Sequence, residues 1–168
     1  MAKSNLTAKR LRELLHYDQE TGIFTWIVNR QWNAMCGDIA GAEIRSKCGY
    51  ICFQIYIDGT PYKSHRLAFL YVKGRWPLEV VDHINTNSLD NRFSNLREAT
   101  ANINAQNRTS AHKHSSSGVL GVSPSGKNWR AGIRVNGKRI SIGSYPTKEL
   151  AYEAYVKTKR MLHEGCTI

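Results

Sequence analysis

"VVDHINTNSLDNRFSNLREATANINAQNR", residues 80–108, is the stretch that decides the fold, because it sets one Asp–His pair among many asparagines. VVDH has the pattern of a strand that leaves the core, and NLRE has the pattern of its antiparallel return. TANINAQNR follows as a helix with Thr100 as its N-cap. The order strand, loop, strand, helix predicts that Asp82 and His83 come together with Asn104 on the helix.

These three side chains have the chemistry of a metal-assisted hydrolytic site. Asp82 and Asn104 offer oxygen ligands to a hard divalent ion, and a site with one carboxylate leaves coordination positions for phosphate oxygens and water. Mg²⁺ fits this donor set best. A neutral imidazole, whose ordinary pKa is about 6.5, can take a proton from an attacking water, so His83 is the candidate general base.

The composition of the chain indicates a polyanionic partner. Its 168 residues, 41% of them hydrophobic, suffice for one compact body and a small module. Lys and Arg number 24 against 13 Asp and Glu, a net charge of +11, so nucleic acid is the first candidate partner. Residues 110–168 are the more basic part of the chain per residue.

The cysteines and the hydropathy pattern exclude other classes of protein. The four cysteines form no C-x-x-C pair, so neither a zinc ribbon nor a disulfide scaffold is indicated, and we expect reduced thiols in a cytosol. The sequence has no apolar stretch long enough for a signal sequence or a membrane span. We therefore expect a protein that is neither exported nor embedded in a membrane.

The residues ahead of the Asp–His pair predict small framing elements. An amphipathic helix is expected over residues 6–16 with Thr7 as its N-cap, followed by a strand in IFTWIV. YICFQIYIDGTPYKSHR predicts a hairpin that turns at Asp58–Gly59. RLAFLYVKGRWP predicts a short buried helix that stops at Gly74.

The carboxy-terminal part predicts a small antiparallel sheet with one helix packed on it. RTSAHKHSSSG has no apolar periodicity and indicates a linker at 109–117, between domains at 1–108 and 118–168. Strands are expected at 118–123, 128–135 and 138–145, with a turn at Asn136–Gly137. A helix capped by Thr147 follows. Its expected apolar stripe comprises Leu150, Ala151, Ala154, Tyr155, Thr158, Met161 and Leu162.

One face of this sheet is a candidate DNA-binding surface. Apolar residues alternate with basic ones along the second and third strands, so one face can pack under the helix while the other presents guanidinium groups. The alternative is a solvated charged face without a partner. The candidate DNA-contacting residues of the module are Arg130, Arg134, Lys138 and Arg139.

Residues 6–108 resemble the HNH family of metal-dependent nucleases, in the phage and intron-encoded branch whose motif is Asp-His, Asn, Asn. SHRLAF, GRWP, DNRFSNLR and YDQETGIFTW extend the resemblance beyond the motif itself. It implies a ββα-metal nuclease core of the α+β class in which Asp82 and Asn104 bind the metal ion, His83 is the general base, and Asn95 braces the loop and positions the histidine. It also implies one Mg²⁺ or Mn²⁺ per active site. An asparagine stands where the wider group has its last histidine, which argues for weaker Zn²⁺ binding.

Residues 117–164 resemble the Apetala and ethylene-response-factor DNA-binding domain, which occurs in plants and is also fused to phage HNH nucleases. GVLGV, WRAGIRVNGKRISIGSY and TKELAYEAY carry the resemblance. It implies that Arg134 and Arg139 contact DNA. Leu120, Ser123 and Ser141 depart from the reading residues of the plant domains, so the plant target sequence does not transfer.

Several further residues have two interpretations. His65 is either a second residue beside the site or a packed residue of the hairpin, and Arg97 either contacts the scissile phosphate or forms a surface ion pair. Asn85, Asn87 and Asn91 are interpreted as turn formers outside the catalytic set. We expect solvated surface positions for the remaining histidines, His16, His112, His114 and His163.

These patterns and the HNH resemblance together predict a metal-dependent, site-preferring DNA endonuclease, and the resemblance implies a phage homing endonuclease that acts in the cytoplasm of a bacterial host. It would cleave double-stranded DNA, as a nick or a double-strand break, to 5′-phosphate and 3′-hydroxyl ends. The sequence does not decide between a monomer and a homodimer. Two other hypotheses are a non-catalytic DNA-binding regulator on the same scaffold and an RNA-binding accessory protein.

Overall fold

The computed structural model describes residues 6–30, 34–47, 49–112 and 114–166. Helices and small antiparallel sheets alternate along the chain, which confirms the α+β class. The chain divides into two compact units, residues 1–99 and 100–168, and each has its own apolar core. Across these ranges, no helix has the length and apolar character needed to cross a membrane. Cys36 and Cys52 are free thiols, and Cys48 lies outside the described residues.

The first unit begins with a short helix that leads directly into a hairpin. Helix α1, Ala8–Leu14, is capped by Thr7, whose side chain accepts a hydrogen bond from the Arg10 N–H. The predicted helix, residues 6–16, extends beyond the observed helix, which ends at Leu14. Leu15–Tyr17 forms strand β1 and pairs antiparallel with β2, Phe24–Trp26. Backbone pairing with a partner further along the chain overrides the helical pattern at these residues.

The next three strands form an antiparallel sheet. They are β3, Ala42–Arg45, β4, Ile51–Ile57, and β5, Thr60–Lys63, in the order β3-β4-β5. The predicted hairpin is confirmed, because Asp58 and Gly59 both have positive φ, 47° and 77°, as a two-residue turn of this kind requires. Strand β3 was not predicted, because it has only four residues and all of them are exposed, so its short alternation of Ala42 and Ile44 with charged residues does not stand out.

Helix α2, Ser64–Lys73, follows β5 and ends as predicted. Gly74 has the left-handed conformation, φ 71°, and its N–H donates to the Leu70 carbonyl, which is a common helix terminus. The helix contributes apolar side chains to the core of the first unit. The largest fully buried apolar members of that core are Leu11, Leu15, Phe24, Ile55, Ile57, Leu67 and Leu70.

Strands β6, Val80–His83, and β7, Leu96–Ala99, confirm the predicted strand, loop and return strand. They pair antiparallel, with Asp82 opposite Arg97 and His83 opposite Leu96. The connecting loop, residues 84–95, ends in a short 3₁₀ turn at Phe93–Asn95. Because of this register, the Asp–His pair at the end of β6 lies next to both ends of the loop.

The second unit begins with helix α3, Ala101–Gln106, whose predicted cap is confirmed by the Thr100 side chain accepting from the Ile103 N–H. This helix packs with the end of the chain. The Gly165 N–H donates to Gln106 Oε1 at 3.2 Å, and the buried Lys159 Nζ donates to the Arg108 carbonyl at 2.6 Å. Compact packing thus divides the chain nine residues ahead of the boundary at 108. The domain limits 1–108, 109–117 and 118–168 stay predictions.

The rest of the second unit is a three-stranded sheet covered by one helix. Its strands are β8, Val122–Ser125, β9, Asn128–Val135, and β10, Lys138–Tyr145, in the order β10-β9-β8, with α4, Lys148–Leu162, packed on them. The bounds of β9 and β10 and the Thr147 cap agree with the prediction. Strand β8 begins at residue 122 instead of 118, because residues 118–121 form bends and turns.

The apolar stripe predicted for α4 is wrong at its ends. The helix buries Ala151 and Tyr155 against the sheet, while Leu150, Met161 and Leu162 are 45%, 68% and 43% exposed. A three-stranded sheet offers a small apolar face, and a helix of 15 residues, roughly 22 Å long, extends beyond it.

Candidate active site

The Asp82 carboxylate at the end of β6 forms an ion pair with Arg97 on β7. Asp82 is 6% exposed, and its Oδ2 accepts hydrogen bonds from Arg97 Nε at 3.0 Å and Nη2 at 2.8 Å. The antiparallel register places the two residues opposite each other, which brings their side chains together. Of the two interpretations of Arg97, the ion pair is present, though partly buried; a contact of Arg97 with phosphate stays a prediction.

His83 is buried beside Asp82 and contacts the loop between the strands. It is 6% exposed, and its Nε2 lies 3.3 Å from Asn91 Oδ1. Burial lowers the pKa of His83, against the opposing effects of Asn91, Asp82 and Asp90. The ring is therefore neutral at neutral pH, which is the state that a general base requires.

His65, in the first turn of α2, packs against His83. The two ring centroids are 5.0 Å apart, and the ring planes meet at 81°. Burial, and next the neighbouring His83, lower the pKa of His65 to about 3. His65 is thus a neutral, edge-to-face neighbour of the candidate base. The structure brings it to the site, as one of its two interpretations required.

Asn95 ties the two ends of loop 84–95 together. Its Oδ1 accepts from the Asn85 N–H at 2.9 Å, and its Nδ2 donates to the Asp90 carbonyl at 2.8 Å. The Asn95 carbonyl in turn accepts from the Ile84 N–H at 2.9 Å. Asn95 is 8% exposed, so its amide is held on both sides within the fold. These contacts are those of a brace for the loop.

The other asparagines of the loop fall into two groups. Asn85 Oδ1 accepts from the Asn87 N–H at 2.9 Å, and Asn87 Oδ1 accepts from the Leu89 N–H at 3.1 Å, which are the side-chain turns expected of asparagine. Asn91 differs, because its side chain is buried and faces His83. Its Nδ2 also donates to the Leu89 carbonyl within the loop, as a turn former would, and its place outside the catalytic set stays a prediction. The local sequence does not distinguish it, since the burial of Asn91 depends on residues far away in the chain.

Asn104 lies on α3 and is exposed, in the second compact unit. The described ranges contain no group of three or more His, Cys, Asp or Glu side chains arranged so that they could hold a metal ion. A metal ion bound at Asp82 would therefore depend on that carboxylate together with other oxygen donors such as water and substrate oxygens, and the role of Asn104 as a metal ligand stays a prediction. A donor set made of oxygen atoms alone fits a hard ion such as Mg²⁺ and disfavours Zn²⁺.

The basic face of the second unit lies on the side of the sheet away from α4. Arg130 and Arg134 are exposed on β9, and Arg139 of β10 pairs with Arg134 in the register. The alternating residues Ala131 and Ile133 are buried. The predicted alternation of the two faces is therefore present. Lys138 differs from the three arginines, because it pairs with Val135 and lies beside the turn on the other face of the sheet.

A groove of about 580 Å³ lies beside the arginines of this basic face. Arg134 and Arg139 of the sheet line the groove, together with His112 and His114 in the segment before β8. Both of these histidines are exposed, as expected, and so is His16. The expectation for His163 was wrong: it is half-buried, and its Nε2 lies 2.9 Å from the Arg134 carbonyl.

Comparisons with known proteins agree with the amino-terminal resemblance. Residues 62–106 match the family model described as HNH endonuclease. A protein of Acanthamoeba polyphaga mimivirus named "Uncharacterized HNH endonuclease" is 38% identical over 112 residues, which are 65% of this chain and 56% of the relative. The chain thus spans about half the length of the curated relative that it matches.

A solved structure described as "DNA binding and cleavage by the HNH homing endonuclease I-HmuI" is also similar. The identity is 23%, the TM-score is 0.42, and the alignment covers 90% of this chain and 88% of that chain. A TM-score at this level does not establish a common fold. The resemblance of residues 117–164 to the plant DNA-binding domain stays a prediction. The stretch that matches the HNH endonuclease family model, residues 62–106, contains all four residues of the Asp-His, Asn, Asn motif.

Proposed function

We propose that this protein is a metal-dependent DNA endonuclease that hydrolyses a phosphodiester of double-stranded DNA to 5′-phosphate and 3′-hydroxyl ends. One observation carries the proposal: His83, buried and neutral, follows the buried Asp82 at the end of a strand and lies beneath a loop braced by Asn95. Burial of ionisable side chains such as His83 and Asp82 costs stability, and side chains with perturbed pKa values concentrate at functional sites.

His83 performs the proton transfer in this proposal. It takes a proton from a water molecule whose oxygen attacks the phosphorus, and the bond from phosphorus to the 3′ oxygen breaks. The 3′ oxygen then gains a proton from solvent. Asp82 and Asn104 would hold one Mg²⁺ or Mn²⁺, which when bound supplies positive charge beside the oxygens that become more negative in the reaction. Arg97, the partner of Asp82, would contact the scissile phosphate.

The second unit would dock the enzyme on DNA. The basic face of the second unit and the groove beside it offer guanidinium groups that suit phosphates and guanine edges. The net charge of +11 also favours association with a polyanion. Contacts of these guanidinium groups with guanine edges would give the proposed enzyme a preference for certain sites. The proposed partner is therefore double-stranded DNA.

Nicking of supercoiled plasmid in Mg²⁺ tests the proposal. We expect His83→Ala and Asp82→Asn each to lower the nicking rate by at least about 10²-fold, because one removes the base and the other a metal ligand. The exposed His16→Ala is the matched control and should nick at the wild-type rate. Gel-shift affinity should stay within about twofold in all three variants, since phosphate contacts elsewhere supply most of the binding.

The opposite result has a clear meaning. Wild-type protein that binds duplex DNA but leaves the plasmid intact in both Mg²⁺ and Mn²⁺ would be a non-catalytic DNA-binding protein, and the endonuclease proposal would be wrong. Tighter binding to structured RNA than to duplex DNA at the same salt concentration would instead indicate an RNA-binding protein.

A further inference from the structure

Asn91 is oriented so that its side-chain oxygen, and not its nitrogen, faces His83. The Asn91 Nδ2 donates to the Leu89 carbonyl at 3.2 Å, which directs Oδ1 toward His83 Nε2 at 3.3 Å. An amide oxygen can only accept a hydrogen bond, so Nε2 must be the donor. A neutral imidazole carries one N–H, and the lone pair of the His83 ring is therefore on Nδ1.

We infer that Asn91 is a positioning residue for the proposed reaction: it holds His83 in the Nε2–H tautomer, so that Nδ1 is the atom that takes the proton from water. The inference rests on the proposed function of His83. In the other tautomer the lone pair of Nε2 would face the oxygen of Asn91, and both groups would lose a hydrogen bond in a buried place.

The backbone of Asn91 is held by the turn between β1 and β2. The Tyr17 hydroxyl donates to the Asn91 carbonyl at 2.6 Å, and the Phe93 N–H donates to the Gln19 carbonyl at 3.2 Å. Gly22 lies so close that a Cβ on it would stand 2.4 Å from the backbone atoms of Asn91 and Arg92. This early turn, more than 60 residues before the loop, therefore sets where the Asn91 side chain lies.

His65 restricts the rotation of the His83 ring from another side. Its edge-to-face contact with His83, with centroids 5.0 Å apart, leaves little room for rotation of the His83 ring. Asn91 thus fixes which nitrogen carries the proton, and His65 restricts the orientation of the ring. A base needs both conditions to present one nitrogen to a water molecule.

Steady-state nicking kinetics of the full-length protein test the role of Asn91. Asn91→Leu keeps a similar volume and removes the acceptor, and we expect kcat to fall by about 10²-fold with KM nearly unchanged, because a wrong tautomer cannot act as the base. Asn91→Asp keeps an acceptor oxygen and should recover at least about tenfold of that loss. Asn87→Ala is the matched control, since Asn87 shapes the same loop through the Leu89 N–H and should keep the wild-type kcat.

The ¹⁵N NMR spectrum of the histidine rings gives a second readout that does not depend on activity or on the folding of an Asn91 variant. At one pH where the ring is neutral, wild-type His83 should show a protonated Nε2 and an unprotonated Nδ1, with the signals assigned by comparison with His83→Gln. A protonated Nδ1 in the wild type, or an Asn91→Leu protein with the wild-type kcat, would overturn the inference. A wild type that does not cut DNA contradicts the proposed function alone, because the spectrum still decides the tautomer.

Discussion

Arg97 neutralises a carboxylate that the fold buries, and this pairing is decided by a single position in the β6–β7 register. The same carboxylate is the candidate metal ligand. A divalent ion and the guanidinium group of Arg97 would therefore both interact with Asp82, so the proposed phosphate contact of Arg97 and the metal site are coupled through one side chain. The ion pair also contributes to the stability of the first unit.

We predict that Arg97→Gln destabilises the protein by about 3 kcal/mol, because the variant removes two guanidinium hydrogen bonds from a buried carboxylate. Urea unfolding measures the change. Arg10→Gln is the control, since the Arg10–Asp58 pair is exposed and screened by solvent, and its effect should be clearly smaller. Equal effects of the two substitutions would show that burial of Asp82 has no energetic consequence.

His65 makes the stability of the first unit depend on pH. Its pKa is about 3 in the folded protein and 6.5 in an unfolded chain, so the unfolded state binds more protons between these values. The contribution of His65 to stability is complete above pH 6.5 and is lost as the pH falls toward 3. We predict a loss of roughly 1 kcal/mol per pH unit between about pH 6 and 4.

Urea unfolding at several pH values measures this slope. His65→Phe keeps a ring against His83 and cannot be protonated, so its slope should be shallower than that of the wild type. The exposed His16→Phe should keep the wild-type slope. A His65→Phe protein with an unchanged slope would assign the acid sensitivity to other groups.

At the scale of elements, short turns determine where the site residues lie. The β1–β2 turn contacts the backbone of loop 84–95, and Asn95 joins the two ends of that loop. The loop is also anchored to the core of the first unit through Phe93, which packs against Phe69, so the turn and the core both contribute to its position. The contact between the turn and the loop is a physical reason for YDQETGIFTW to accompany a candidate active site that begins at residue 82.

We predict that Gly22→Ala is more destabilising than Gly59→Ala. The two glycines have nearly the same left-handed φ, 75° and 77°, so the backbone strain of alanine, about 1 kcal/mol, is common to both. Open space surrounds Gly59, whereas a Cβ on Gly22 would meet the backbone of the loop at 2.4 Å. Gly22→Ala should therefore cost about 2 kcal/mol more in urea unfolding, and it should also lower kcat, because the turn supports Asn91. Equal stabilities would contradict the close contact.

The elements that the sequence predicted well are those with a local pattern. The β4–β5 hairpin, β9, β10 and the caps of α1, α3 and α4 follow from alternation, turn residues and N-cap side chains, all of which act over a few residues. Strand β1 and the exposed β3 were missed, because each is a strand only through pairing with a distant partner. The ends of α4 were assigned to the core for a similar reason, since the extent of the sheet beneath is not a local property.

At the scale of the whole molecule, the net charge of +11 is the property that favours the proposed DNA partner. It would contribute to binding of any duplex, and the basic face of the second unit would add contacts at defined positions. Affinity should therefore fall steeply as the salt concentration rises.

We predict that the double variant Arg134→Ala, Arg139→Ala makes the slope of log K against log salt for duplex binding shallower by about 2. Each guanidinium group lost removes one phosphate contact, which contributes about 1 to the slope. Gel shifts over a range of salt concentrations measure the slope of log K against log salt. Lys157→Ala is the control, because Lys157 is exposed on α4, which packs on the opposite face of the sheet. A double variant with the slope of the control would exclude this face from the DNA interface.

The sequence by itself determined the α+β class, the order of strand, loop, strand and helix along residues 80–106, and the Asp-His, Asn, Asn motif that lies within the HNH endonuclease match. These features depend on residue spacing and turn residues, which act over a few neighbouring positions. Only the tertiary structure decided that Asp82 pairs with Arg97, that His65 packs on His83, and that Asn91 faces the candidate base. These contacts join residues that are 8 to 18 positions apart, and the burial that fixes them comes from α2 and from the β1–β2 turn. Such contacts depend on strand register and on how separate elements pack, and no local pattern specifies either.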